Sequence, residues 1–173
     1  LNSIFISSKN VKDFEFEVCI SDNNSDENPH EIIKKYKDKI NIVFNRNDEN
    51  LGFALNAIKT IKLSRGKYAW FIGNDDLILP NTLFELKKIF EENIDTDYFF
   101  VNSFYLNSSY LDNFTKPFDT KELNTKKLKK LSKFKEDKKV QFWEIIDPNV
   151  SWEFLIGIFL SIFNREDWLE GLK

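Results

Sequence analysis

Apolar residues follow two alternating spacings along the first hundred positions. Short apolar runs rich in strand-forming residues predict strands, and apolar residues three or four positions apart predict helices with one apolar face. The predicted strands are residues 14–20, 40–44, 68–72 and 98–101. The predicted helices are residues 1–7, 29–36, 51–61 and a segment whose core face carries Leu83, Leu86, Ile89 and Phe90. Strands and helices that alternate in this way favour βαβ units and a mostly parallel sheet flanked by helices.

The predicted helix at 51–61 has one apolar stripe. Because its apolar residues recur at helical spacing, we expect the stripe to face the core. These residues are Leu51, Ala54, Leu55, Ile58 and Ile61. Asn50 precedes the stripe, and asparagine is a favourable N-cap because its side chain accepts a hydrogen bond from the first turn.

The pattern loosens after residue 102, which divides the chain into an α/β core at 1–101 and an extension at 102–173. Residues 119–139 contain nine lysines among few apolar residues. A lysine run is either a solvated surface or a contact for an anionic membrane surface or a lipid diphosphate. Leu128, Leu131 and Phe134 are spaced to line one face of a short basic helix.

Two aromatic-rich segments follow the lysine run. Residues 141–147 and 151–163 predict two further helices, and Pro148 between them breaks the run. The extension at 102–173 is therefore predicted to be mainly helical.

Composition and charge limit the classes of protein to which this chain could belong. The net charge of −3 gives no overall nucleic-acid-binding character. A single cysteine, Cys19, cannot form an internal disulfide and fits a reducing compartment. The longest apolar run, residues 154–163, is far shorter than the ~20 residues that span a bilayer. The chain begins at Leu1 and has no methionine, so we expect an incomplete gene product.

Acidic and amide side chains follow the predicted strands where each strand ends. Asn74, Asp75 and Asp76 come directly after the third strand, Asp22 follows the first, and Asn50 lies after the second. In open α/β sheets, ligands bind at this edge. Mg²⁺ and Mn²⁺ prefer oxygen ligands and take one or two carboxylates together with substrate phosphates. The acidic pair therefore predicts a cation site with Asp76 as the principal ligand, and the alternative is a solvated acidic turn.

Asp22 suggests how a ligand on this edge would be recognised. An ionised aspartate only accepts hydrogen bonds, so against a nucleobase it favours a ring N–H, as in uracil, thymine or guanine. The alternative is that Asp22 caps its own turn. Asn50 and the first N–H groups of its helix offer further polar contacts to a ligand, and the alternative is that Asn50 serves only as a helix cap.

Three segments in order resemble a family 2 glycosyltransferase of the GT-A fold: FEVCISDNNSD, NRNDENLGFALNAI and SRGKYAWFIGNDDLILPNTL. The resemblance runs from about residue 1 to residue 92. It implies a GT-A-like, Rossmann-like sheet at 1–101 that binds a nucleotide sugar and an acceptor-side extension at 102–173. It also implies a site in which Asp76 binds Mg²⁺ or Mn²⁺ at the DxD motif. The nucleotide sugar would contact Asp22, Asn24, Asn50, Asn74 and Asp75.

The resemblance further implies transfer of a sugar, usually with inversion, from a UDP-, dTDP- or GDP-sugar to a glycan or glycolipid acceptor. Its setting would be the synthesis of a bacterial surface polysaccharide or lipooligosaccharide. The protein would be cytoplasmic, with peripheral contact to the inner membrane face as a further possibility.

The sequence departs from the family pattern at three places. Asn74 stands where the DxD motif has its first acid. The family's first strand, with a Thr-Tyr-Asn-like turn, would lie before Leu1. The general base is unassigned: Glu166 and Asp167 resemble the family's acidic pair, but the preceding IFNR aligns better with an earlier strand or turn, which puts the base beyond Lys173. Other candidates for the base are Asp147 and Glu153.

Two other functions compete with sugar transfer. A non-catalytic nucleotide-sugar-binding module would explain Asn74 and the unassigned base. A different Rossmann-like phosphotransfer enzyme would need a nucleophilic aspartate or a glycine-rich phosphate loop, and the sequence has no recognisable example of either.

Overall fold

The computed structural model describes residues 1–112, 114–131, 136–141, 144 and 157–173. The described helices are α1 Asn2–Ser8, α2 His30–Tyr36, α3 Gly52–Leu63, α4 Thr82–Glu92, α5 Ser108–Leu111 and α6 Arg165–Glu170. The strands are β1 Val18–Asp22, β2 Ile42–Arg46, β3 Tyr68–Trp70, β4 Tyr98–Phe100 and β5 Ser161–Asn164. Short 3₁₀ turns lie at Thr120–Glu122, Thr125–Lys127 and Ile158–Leu160.

The strands form two separate ladders. β1 and β2 are parallel, with Val18 opposite Ile42 and Asp22 opposite Arg46. The second ladder has the order β3-β5-β4, and β5 runs antiparallel to both neighbours. The alternation of strands and helices up to β4 is confirmed. The described ladders contain one parallel pair rather than the whole of the mostly parallel sheet that the sequence predicts.

Strand β5 corrects the prediction of a helix at 151–163. Ile162 is 1% exposed and faces the core, whereas Phe163 on the other face packs against Phe71 and Trp168. This alternation is the two-residue period of a strand. A central position between β3 and β4 also gives the β5 backbone hydrogen-bond partners on both sides. The hypothesis that IFNR forms a strand or turn is confirmed.

The core lies between α4 and the β3-β5-β4 ladder. Its buried residues are Ile78, Leu83, Leu86 and Ile162, so the predicted core positions of α4 at 83 and 86 are confirmed. Aromatic rings extend this core: Tyr68 stacks on Phe90 at 4.6 Å between ring centroids. Helix α1 packs against α4.

The apolar stripe of α3 is only partly buried, so its prediction as a core face was wrong for the first half of the helix. Ile61 is 4% exposed, but Leu55 is 58% exposed and Ala54 is also exposed. Helix α3 contacts β1 partly through Asn56, which hydrogen-bonds to Ser21. Ala54 and Ile58 of the stripe instead line an open groove of about 540 Å³. Phe71, Phe163 and Trp168 line the same groove.

The extension differs from its predicted helical form. Between residues 119 and 131 the chain makes two 3₁₀ turns, and Lys130 bridges to Phe104. The predicted basic helix is therefore wrong over its described part, and Phe134 lies outside the described residues. Most of 141–147 and 151–156 also lies outside them. Among the residues that the structure describes, no helix combines the length and the apolar character that a membrane span requires.

Candidate functional site

Asp22 ends β1 in a buried position, 8% exposed. One carboxylate oxygen, Oδ1, accepts hydrogen bonds from the Ser25 hydroxyl at 2.6 Å and the Ser25 N–H at 3.1 Å. The other oxygen, Oδ2, is buried without a hydrogen bond and lies 3.3 Å from Nη1 of Arg46 in an ion pair. Asp22 therefore does cap its own turn, as one interpretation of the sequence predicts, but this uses only Oδ1.

The pKa of Asp22 lies below the ordinary value of an aspartate. The largest cause is the hydrogen bond from the Ser25 hydroxyl, which favours the ionised form; burial opposes it, and the Ser25 N–H and Arg46 add to it. Asp22 is therefore an ionised acceptor at neutral pH. Asn24, an exposed residue in the same loop, has a positive φ of 60°, a conformation that asparagine tolerates better than most residues.

Asn50 lies beside this loop. Its Oδ1 accepts from the Gly52 N–H at 2.9 Å and from Asn23 Nδ2 at 2.8 Å. The Leu51 N–H donates to Asn23 Oδ1. The N-cap of α3 is Leu51, so the prediction of Asn50 as the N-cap was wrong by one residue, although Asn50 still accepts a hydrogen bond from the first residue of the helix. Because the N–H groups of Leu51 and Gly52 already have protein acceptors, a ligand would not find them free.

The acidic turn after β3 is closed by Asp76. Its Oδ2 accepts from the Gly73 N–H at 2.7 Å, and its own N–H donates to the Gly73 carbonyl at 3.2 Å. Asn74 and Asp75 are exposed, and Asp76 is half-buried. A Cβ on Gly73 would lie 2.7 Å from Asp75 Oδ1 and 2.9 Å from Asp76 Oδ2. Both carboxylates therefore converge on the space beside Gly73 that a side chain would fill in any other residue.

This pair fits a hard divalent cation that completes its coordination with substrate. Mg²⁺ usually takes one or two carboxylates from a protein when phosphates and waters supply the rest. In the portion of the chain that the structure describes, no group of three His, Cys, Asp or Glu side chains could hold a metal. Asn74 in the same turn offers an amide oxygen rather than a third carboxylate.

The predicted site residues form two centres. Asp22, Asn24 and Asn50 lie in one centre, which Asn23 joins, and Asn74, Asp75 and Asp76 form the other. Among the described residues no hydrogen bond or ion pair links the two centres. Their convergence on one ligand remains a prediction.

The candidates for a general base lie elsewhere or outside the described residues. Glu166 and Asp167 are exposed in the first turn of α6, where Glu166 pairs with Arg165. The Arg165 N–H donates to the carbonyl of Lys67, just before β3, whereas the acidic turn follows the other end of that strand. The structure thus does not bring this pair to the acidic turn. Asp147 and Glu153 lie outside the described residues.

A cluster of amide side chains was missed by the sequence reasoning. It surrounds the ends of β1 and β2 and the start of α3, and its members are hydrogen-bonded to one another. They are Asn23, Asn45, Asn47, Asn50 and Asn56, with Ser21. The signal in the sequence was the density of asparagine in residues 23–56, which contain eight of them.

Comparisons with known proteins give the family. The family model described as glycosyl transferase family 2 matches residues 4–147. An uncharacterized glycosyltransferase of Methanocaldococcus jannaschii is 36% identical over 96 residues, which are 55% of this chain and 33% of that protein. The abequosyltransferase RfbV of Salmonella typhimurium is 32% identical over 97 residues, which are 55% of this chain and 28% of that protein.

The matched segments have a limited extent. The chain spans about a third of the length of these curated relatives. No solved structure matches it. The family model nevertheless covers well over half of the chain, including β1 to β4 and both polar centres. The chain belongs to glycosyl transferase family 2.

Proposed function

We propose that this chain is the donor-binding part of a glycosyltransferase. The enzyme would transfer a sugar from a nucleoside-diphosphate sugar to a glycan or glycolipid acceptor, with inversion and with Mg²⁺ or Mn²⁺. The observation that carries the proposal is the pair of carboxylates, Asp75 and Asp76, that converge in an exposed turn at the end of β3. Family membership supports the same activity.

Asp22 is the proposed contact to the nucleobase. Its lowered pKa keeps it ionised, so it accepts hydrogen bonds and donates none. Oδ2 is the oxygen that still lacks a hydrogen bond. A ring N–H would satisfy it, once the Arg46 side chain, a third exposed, moves aside. UDP-, dTDP- and GDP-sugars carry such an N–H, and CDP-sugars do not.

Asp76, with Asp75, is the proposed holder of the cation. A bound divalent ion would supply charge neutralisation for the departing diphosphate. The chain's own contribution is to fix the two carboxylates: the Gly73 N–H orients Asp76 Oδ2, and the absent Gly73 side chain leaves the space between them. Direct displacement at the sugar also requires a base near the acceptor hydroxyl, and this role is unassigned.

The acceptor and the cellular setting are proposed from the family alone. A bacterial surface polysaccharide or lipooligosaccharide is the proposed product. The lysines of 119–139 that the structure describes, such as Lys126 and Lys127, are exposed, which allows peripheral contact with an anionic membrane surface.

Calorimetric titration of the 173-residue chain with UDP, dTDP, GDP and CDP, each with and without Mn²⁺, tests the proposal. We expect at least one of the first three to bind more tightly with Mn²⁺. Asp76→Asn, which removes the charge at nearly constant volume, should abolish this Mn²⁺ dependence. Asp95→Asn, at an exposed position before β4, is the matched control. Wild-type chain that binds none of the four nucleotides would refute the proposal, as would Asp76→Asn with unchanged Mn²⁺-dependent affinity.

A non-catalytic nucleotide-sugar-binding module is the second candidate. Asn74 favours it, since an amide replaces a carboxylate beside the proposed cation. Hydrolysis of the donor distinguishes the two functions in the full-length protein. Release of free sugar supports the enzyme, and nucleotide binding without sugar release supports the module.

A further inference from the structure

Asn47 lies at the centre of the amide cluster. It directly follows β2 and is 3% exposed. Its Nδ2 donates to Asn23 Oδ1 at 3.1 Å and to Asn56 Oδ1 at 2.9 Å, and its Oδ1 accepts from Asn45 Nδ2 at 2.9 Å. Both amide hydrogens and one lone pair of the oxygen are thus used within the protein, so the buried Asn47 side chain has no free donor for a ligand.

The contacts of Asn47 join the loop that follows Asp22 to the start of α3. Its backbone N–H donates to the carbonyl of Asp22 at 2.9 Å. Asn23, the residue after Asp22, has its oxygen shared between Asn47 Nδ2 and the Leu51 N–H, while its Nδ2 donates to Asn50 and to the Gly52 carbonyl. One buried amide therefore ties the Asp22 loop to the start of α3.

Asn47 is compensated for its burial by these hydrogen bonds. An apolar side chain of similar volume would leave the amides of Asn23, Asn45 and Asn56 each without one partner. Fully satisfied buried polar networks fix one geometry, because each donor has a defined acceptor. Here the fixed geometry is that of Asp22, whose Oδ2 is the buried oxygen without a hydrogen bond.

We propose that Asn47 is a positioning residue that sets nucleobase selectivity by holding the Asp22 loop against the start of α3. This inference rests on the proposed function, since it assumes that Asp22 meets a nucleobase. Asn47 acts on the ligand only through Asn23 and Asp22. Its loss should therefore reduce discrimination between bases more than it reduces binding of the diphosphate.

Asn47→Asp tests the inference at constant volume. A carboxylate has no N–H, so the two donated hydrogen bonds become contacts between acceptors. Asn41→Asp is the matched control, because Asn41 directly precedes β2 and is exposed. The measured quantity is the ratio of CDP affinity to that of the best binder among UDP, dTDP and GDP. We expect the wild-type preference to fall about tenfold in Asn47→Asp and to remain in Asn41→Asp.

Hydrogen exchange gives a readout without ligand. The amides of Leu51 and Gly52 should exchange faster in Asn47→Asp, because their acceptors Asn23 and Asn50 lose their anchor. Asn23→Ala, at a half-buried position, provides a second and milder variant in case Asn47→Asp does not fold. It should show the same loss of base preference.

The outcomes separate the two proposals. If the wild-type chain binds no nucleoside diphosphate, the proposed function fails. If the wild type prefers one base and both variants keep that preference, the inference about Asn47 is overturned while the proposed function stands. A loss of affinity by the same factor for every nucleotide, with base preference intact, shows a merely structural role and also overturns the inference.

Discussion

Gly73→Ala should separate the stability of the acidic turn from its chemistry. A Cβ at position 73 would stand 2.7 Å from Asp75 Oδ1 and 2.9 Å from Asp76 Oδ2. These are closer than a methyl group tolerates, so both carboxylates must rotate away. Both atoms are the ends of flexible side chains, and the backbone of Gly73 does not have a positive φ. The turn can therefore accept alanine without rebuilding its backbone.

The stability effects nearly cancel. The hydrogen bond from the Gly73 N–H to Asp76 lies in a partly exposed turn, so its loss costs about 1 kcal/mol. Replacing glycine by alanine restricts the unfolded chain and returns ~0.4–1 kcal/mol. The net change of under ~1 kcal/mol corresponds to less than about 4 °C in melting temperature for a chain of this size. The displacement of both carboxylates from the proposed cation site should nevertheless weaken Mn²⁺-dependent nucleotide binding about tenfold, or ~1.4 kcal/mol.

Differential scanning fluorimetry and calorimetric titration with the best-binding nucleoside diphosphate measure the two effects. Gly171→Ala is the control, because a Cβ there would meet its nearest atom at an ordinary 3.5 Å. We expect the control to match wild type in both assays. If Gly73→Ala binds the nucleotide with unchanged Mn²⁺ dependence, the converging carboxylates do not hold the cation and the proposed metal site is wrong.

Two further predictions concern the other centre and the core. Ser25→Ala removes the main cause of the lowered pKa of Asp22. Because ionised Asp22 contributes stability above its unfolded pKa of about 4, the variant should have a lower free energy of unfolding in urea at pH 7, and the difference from wild type should shrink as the pH falls below 4. A difference independent of pH would contradict the role of Ser25 in lowering this pKa. Ile162→Ala should lower the free energy of unfolding by about 3 kcal/mol, since the side chain is 1% exposed. Leu55→Ala, at a 58% exposed position, should lower it by under ~0.5 kcal/mol. Equal losses for the two variants in urea unfolding would contradict the difference in burial between Ile162 and Leu55.

The sequence predicted the elements before residue 101 because their apolar periods are local. The observed boundaries of an element differ from the predicted ones where its apolar side chains pack in the core without joining a strand ladder. The predicted first strand began at residue 14, yet β1 begins at Val18, because Phe14 and Phe16 pack against the α4 side of the core instead of joining a ladder. Strand β5 could not be found in this way, since its partners β3 and β4 lie more than sixty residues away and its apolar run was equally compatible with a helix.

The residues of the candidate site that could be selected from the sequence are those whose charge alone suggests a role. A carboxylate at the end of an apolar run that predicts a strand has few structural reasons to be there, so Asp22 and Asp76 could be selected from the sequence. The proposed role of Asn47 could not be predicted from the sequence. An amide side chain both donates and accepts hydrogen bonds, so its role depends on which neighbours it contacts. The prediction that the whole α3 stripe faces the core was wrong for a related reason. Helical spacing shows that one side of a helix is apolar, but it does not show whether another element covers that side.

The two polar centres differ in how firmly the protein holds them. Asp22 Oδ1 is fixed by two hydrogen bonds from Ser25, and the amide cluster fixes the loop behind it. A base that pairs with Asp22 Oδ2 would thus meet a carboxylate whose orientation the protein already fixes, and the Arg46 side chain is the group that has to move. The carboxylates of Asp75 and Asp76 lie in a more exposed turn, where a single hydrogen bond from Gly73 holds one oxygen. Under the proposed function, base recognition should therefore depend on the folded geometry around Asn47, and diphosphate recognition on the proposed cation between the two carboxylates.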